Sequence, residues 1–187
     1  MRDLSQHLLD IAQNSVSALA KNITITLNVT NEGFLEFIVD DNGSGMEKDY
    51  AQKVSDPFVT SRTTRKVGLG LPMLKDSANR CNGNFYISSV KHKGTKVFAS
   101  FKIDNIDRIP LGDISESMMI LIASNTEINF KLILSGSKGI FIVDTDELNK
   151  TLNGVPINEI TVLDWIKAYI DEGIKNIFGG VLNEVDC

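Results

Sequence analysis

Cysteine is nearly absent from this chain: Cys81 and Cys187 are the only two, one of them terminal and neither in a close pair. Nothing therefore suggests a disulfide framework or a zinc site, and a reduced compartment is the simpler setting. Long apolar runs are missing too. Met118-Met119-Ile120-Leu121-Ile122-Ala123 is typical of the longest, far below the ~20 residues that span a bilayer, so no membrane association is expected. The opening Met-Arg-Asp-Leu-Ser-Gln-His lacks the charged segment and apolar run of a secretory signal, and a cytoplasmic location is the expectation. Positive charge is in deficit. Nineteen Lys and Arg face 24 Asp and Glu, for a net charge of -5 and a pI near 5.0, which argues against a nucleic-acid partner. No internal repeat or low-complexity segment is present.

What is there is ordinary for a globular protein: 187 residues, 42% apolar and 23% charged. That length suits one compact domain or one domain with a sizeable extension and can bury a real core. Leu4, Leu8, Ile11, Ser15 and Leu19 recur at helical spacing, so the pattern predicts an amphipathic helix over 3–20. Asn22 to Thr30 and Phe34 to Asp40 alternate apolar and polar residues around the turn signal Asn31-Glu32-Gly33, which predicts an antiparallel hairpin. A short helix over 47–54 precedes a loop over 56–70 rich in Thr, Arg and Gly. Next come a helix from Leu71 to Arg80 and strands over 85–90 and 96–103.

Asp104 to Gly112, with Pro110, reads as a boundary. The expected division is a unit over 1–103 and a C-terminal α/β extension over 104–187, a candidate partner-docking region. The extension is expected to hold a helix over 113–124, strands over 127–135 and 139–143, a short helix from Asp146 and a final helix over 159–178. Trp165, Ile166, Tyr169, Ile170, Ile174 and Ile177 stripe that last helix, either as packing against its own strands or as a docking face. The element order predicts an α+β, two-layer α/β sandwich, with helices on one face of a mixed, mostly antiparallel sheet.

Neither a P-loop nor a complete dinucleotide fingerprint occurs. Four other features could carry chemistry, each with a plainer alternative. Asp10 and Asn14, one helical turn apart, offer a base and an oxygen ligand side by side, or simply a solvated helix face. Asp41-Asn42-Gly43-Ser44-Gly45 places a carboxylate at a strand end beside two glycines, a ligand site or an ordinary turn. Gly68-Leu69-Gly70-Leu71 opens a helix, where backbone donors and the positive helix end suit an anion. Ahead of it, Thr60, Ser61, Arg62, Thr63, Thr64, Arg65 and Lys66 concentrate hydroxyls and cations able to fold over a triphosphate, or to be a solvated loop.

In this order and spacing the segments resemble the nucleotide-binding fold shared by gyrase-type topoisomerases, heat-shock chaperones, histidine kinases and mismatch-repair ATPases, the GHKL superfamily or Bergerat fold. Leu9-Asp10-Ile11-Ala12-Gln13-Asn14-Ser15 is similar to its asparagine box, Asp41 to Gly45 to its first glycine box, Asp56-Pro57-Phe58-Val59-Thr60-Ser61 to its lid segment, and Gly68 to Leu71 to its second glycine box. Lys93-Gly94-Thr95 is similar to its closing Gly-Thr. The resemblance implies an ATP site with Mg2+ held by Asn14 and adenine read by Asp41, with Gly43, Gly45 and Thr95 around the base. It also implies that Thr60, Ser61, Arg62, Lys66, Gly68, Leu69, Gly70 and Leu71 serve the phosphates and lid. Phe58 is expected to pack under the lid.

The resemblance leaves the phosphate acceptor open. Members that phosphorylate their own histidine carry a helical hairpin before the asparagine box, whereas here the box begins within ten residues of Met1; the expectation is no self-phosphorylation, with His7 and His92 poor acceptors. At position 10 histidine kinases commonly have Asn, while related ATPases and serine kinases use Glu. Asp10 leans toward the second group, because water or a serine hydroxyl must lose a proton. Asp is one methylene shorter, and Ser17 stands where relatives often have Lys or Asp. Three readings follow: a slow Mg-dependent ATPase or ATP-driven regulator with Asp10 as base, a protein kinase acting in trans on a Ser or His of a partner, and a non-catalytic nucleotide-binding adaptor. A protein partner of unknown identity, from a redox or regulatory system, is the accompanying expectation, and the oligomeric state is open.

Overall fold

The structure is a computed structural model that describes residues 1–47 and 70–182. The element order is α1 (Leu4–Ser17), β1 (Asn22–Val29), β2 (Phe34–Asp41), α2 (Gly70–Arg80), β3 (Phe85–Val90), β4 (Gly94–Lys102), α3 (Ile114–Ser124), β5 (Asn129–Gly136), β6 (Gly139–Asp144), α4 (Thr145–Thr151) and α5 (Ile160–Phe178). The expected helix over 47–54 and loop over 56–70 lie almost wholly outside the described residues. Elsewhere the expected elements are all present, with ends shifted by at most three residues.

The six strands form one sheet in the order β3-β4-β2-β1-β5-β6. Every neighbouring pair is antiparallel except β1 and β5, which run parallel, so the sheet is mixed and mostly antiparallel, as expected. Strand alternation sends Ile23, Ile25, Leu27, Leu35, Phe37, Val39, Val97, Ala99, Phe101, Phe130, Leu132 and Leu134 to one face, where all are buried under the helices. Leu4, Leu8, Ile11 and Ala12 of α1 meet them from above, together with Leu74 and Ala78 of α2, Met118 and Leu121 of α3, and Ile166 and Ile170 of α5.

The segment before α3 is docked rather than trailing. Leu4 and Ser5 donate their backbone N–H groups to Pro110 O at 2.9 Å and Leu111 O at 3.0 Å, so this segment satisfies donors that the first turn of α1 leaves over. Asp3 completes the cap, its Oδ1 accepting from Gln6 N at 2.9 Å.

The opposite face of the sheet carries no helix among the described residues, and its side chains are arranged in rows. Tyr86, Phe98, Ile38, Thr26, Ile133 and Ile142 stand side by side across all six strands. This apolar row is bordered on one side by Ser88, Lys96, Asp40, Thr24, Lys131 and Asp144, in which Lys96 pairs with Asp40 at 3.6 Å and Lys131 with Asp144 at 3.2 Å. Tyr86 stacks on Phe98 with ring centroids 4.5 Å apart, an arrangement that covers apolar area without a second layer.

Candidate nucleotide site

The described site residues gather at one end of the sheet, where β2 finishes, β4 begins and α1 crosses above them. Asp41 is the last residue of β2 and pairs with Thr95 on β4. Its carboxylate is held by three donors. Oδ2 accepts from Ser15 Oγ at 2.7 Å, and Oδ1 accepts from Gly43 N at 2.8 Å and Thr95 N at 3.2 Å. A carboxylate has about four lone-pair positions, so this geometry fixes the side chain and leaves room for one further donor.

Thr95 is held in turn by Ser89, whose Oγ lies 2.8 Å from Thr95 Oγ1 and accepts from Met46 N at 2.8 Å. Asn42 pins the other side of the loop: its Oδ1 accepts from Lys21 N at 2.8 Å and Asn22 N at 2.9 Å. The glycines are required by the protein itself. A side chain at Gly45, whose φ is +61°, would overlap the Val90 carbonyl, and one at Gly94, at φ +115°, would overlap the Asp41 carbonyl. Neither position tolerates a Cβ, because backbone crosses backbone there.

Asp10 and Asn14 project from the same side of α1, both partly exposed, and Asn14 directly precedes the Ser15 that holds Asp41. Gly70 opens α2 so close to Asp10 that any side chain at Gly70 would run into the Asp10 carboxylate. The candidate base thus lies against the N-terminal end of α2, where backbone N–H groups are free of intrahelical partners. Leu71 is partly buried against the core, so its backbone is the part of it that can face a ligand. Thr60, Ser61, Arg62, Lys66, Gly68 and Leu69 lie outside the described residues, as does Phe58.

One turn before Asp10, His7 is fully buried, and neither ring nitrogen has a well-formed hydrogen bond among the described residues. Burial, helped by the charge of the terminal amine, pulls its pKa down from 6.5 to about 4; the Gly70 backbone and the carboxylates of Asp10 and Asp3 push the other way and lose. His7 is therefore a neutral ring at pH 7, wedged under the site.

Two residues of this arrangement escaped the sequence reading. Ser15 sat in the apolar stripe of α1, and the signal was its polarity at a buried position. Ser89 offered no signal, because only strand pairing sets it beside Thr95.

Comparison with known proteins bears on the family and the fold. The family described as histidine kinase-, DNA gyrase B- and HSP90-like ATPase matches residues 1–105. Sporulation kinase D of Bacillus subtilis (strain 168) is 29% identical over 96 residues, which are 50% of this chain and only 19% of that kinase, so the chain spans about a fifth of its length. Among solved structures, the N-terminal domain of a DNA repair protein superposes with a TM-score of 0.53 at 15% identity, covering 96% of this chain and 58% of that one. The MutL ATPase domain of Aquifex aeolicus complexed with ADP superposes with a TM-score of 0.50 at 16% identity, covering 72% of this chain and 60% of that one. Likeness at such identities shows the fold alone. With the family match extending over more than half of the residues, on a sheet of this topology, the chain belongs to the histidine kinase-, DNA gyrase B- and HSP90-like ATPase family.

Proposed function

We propose that this protein binds ATP together with magnesium and hydrolyses it slowly, as an ATP-driven regulatory module in which Asp10 is the general base. One observation carries the reading: the carboxylate of Asp41, fixed by Ser15, Gly43 and Thr95, keeps one acceptor position for an outside donor. The exocyclic amine of adenine is such a donor. Guanine would present a carbonyl oxygen in its place, and two facing acceptors without a proton cost about 1 to 3 kcal/mol when buried.

Among the described residues no three His, Cys, Asp or Glu side chains come together as a metal cage. The side-chain oxygen of Asn14 is a hard donor suited to a magnesium ion, which takes most of its ligands from phosphates and water. When bound, the ion would neutralise phosphate charge. The chain's own residues do the rest. Asn14 holds the phosphate end, the N-terminal turn of α2 directs backbone donors toward it, and Asp10 takes the proton of the attacking water. Its packing against Gly70 supports this role, since a carboxylate held against a phosphate-facing helix end stands where a nucleophile must approach.

The second reading, a kinase acting in trans on a Ser or His of a partner, draws on the resemblance to Sporulation kinase D. The third, an adaptor without chemistry, is what remains if ATP binds and nothing turns over. Among the described residues no helix is long and apolar enough to cross a membrane, and we place the protein in the cytoplasm, with a redox or regulatory protein as partner.

Calorimetric titration with Mg-ATP and Mg-GTP tests the reading. Saturable heat is expected with ATP, with GTP at least ~10-fold weaker, a gap of about 1.4 kcal/mol. Asp41→Asn should weaken ATP by a similar factor. No heat with ATP, or equal affinity for both nucleotides, would overturn it.

A further inference from the structure

We propose that β6 is a dimer edge, pairing antiparallel with β6 of a second copy so that two six-stranded sheets join into one of twelve. The observation behind this is the self-complementary character of that edge. Among the described residues β6 is the outermost strand on its side, and of its residues Gly139–Asp144 only the last, Asp144, is charged and none is proline. Proteins commonly protect a free strand edge from pairing with such residues. Ile140 and Ile142 are exposed, at 68% and 48%.

The ends of the strand carry opposite charges. Lys138 precedes it in the turn, while Asp146 and Glu147 follow it at the start of α4, all three exposed. A two-fold axis through Ile142 sets Ile140 opposite Asp144 of the other copy and brings the turn that holds Lys138 beside the start of α4 that holds Asp146, twice over by symmetry. Isologous pairing of this kind needs a surface that carries its own complement, and this edge does.

The faces agree with the edge. In this register the apolar row of the helix-free face, which ends at Ile142, continues without interruption into the row of the second copy. On the other face, Tyr169 packs on Phe141 with centroids 4.8 Å apart and Trp165 stacks on Tyr169 at 5.2 Å, leaving Trp165 half exposed beside the seam. Ile140, Ile142, Trp165 and Tyr169 are exposed at 68%, 48%, 52% and 37%, so both faces of the seam add apolar surface to the paired strands.

Sedimentation equilibrium on the full chain tests this. The wild type is expected to be a dimer at micromolar concentration. Lys138→Asp and Asp146→Lys should each weaken dimerisation about tenfold or more, and the double charge reversal should restore it. Ile142→Glu, which brings two carboxylates together on the axis, should give monomers whose far-ultraviolet circular dichroism matches the wild type. A monomeric wild type, its edge left to an extended segment of some other protein, would overturn the proposal. So would a dimer indifferent to all these substitutions.

Discussion

Ser15 on α1 donates its hydroxyl proton to Oδ2 of Asp41 at 2.7 Å, linking the opening helix to the end of β2 across 26 residues of chain. The hydroxyl is buried, 3% exposed, and its other neighbour is the Ile11 carbonyl at 3.3 Å. This bond sets the direction in which Asp41 presents its remaining acceptor. It also couples the helix bearing Asp10 and Asn14 to the residue assigned to the base.

Ser15→Ala should therefore act twice. Loss of one hydrogen bond to a charged acceptor is expected to lower stability by about 1.5 to 3 kcal/mol, read by urea denaturation. With Oδ2 released from its donor, the affinity for Mg-ATP should fall about tenfold, read by calorimetry. Unchanged affinity would show that Gly43 and Thr95 suffice to orient the carboxylate.

Asp10→Asn separates catalysis from binding. The amide keeps the size of the side chain and its fit against Gly70, but cannot accept the proton of water. Phosphate release should drop by a factor of about 100 or more, while nucleotide affinity stays within about twofold. Undiminished release would remove Asp10 from the role of base.

His7 makes stability depend on pH in a defined direction. Its pKa is about 4 in the folded protein and near 6.5 when exposed, so between those values the unfolded chain binds the extra proton. Stability is then complete above pH 6.5 and is lost as the pH falls toward 4, by about 3 kcal/mol in all. The groups facing the ring are the terminal amine, Asp3, Asp10 and the Gly70 backbone, and none of the carboxylates offsets the burial. Urea denaturation across pH 4 to 7.5 should show this slope, and His7→Leu should flatten it. An equal slope in both proteins would assign the acid sensitivity elsewhere.

Much of this molecule was legible in order of residues alone. The alternation of Asn22 to Val29 and Phe34 to Asp41 and the helical stripe of Leu4, Leu8 and Ile11 declare their elements because burial on one face imposes a period on the chain. The boxes around Asn14, Asp41 and Gly70 are short runs that residue order alone displays, although their glycines answer to distant neighbours, Gly70 to Asp10 and Gly45 to Val90.

What the sequence by itself determined, then, is which elements form, that helices cover one side of the sheet, and which short segments carry the family's pattern. Only the tertiary structure decided who meets whom. The parallel union of β5 with β1, the bond from Ser15 to Asp41, the support of Thr95 by Ser89 and the burial of His7 beside Gly70 all join residues distant in the chain. Such contacts leave no period to read, because they are selected by the packing of whole elements, and a hydroxyl reveals its acceptor only once another strand has been laid against it.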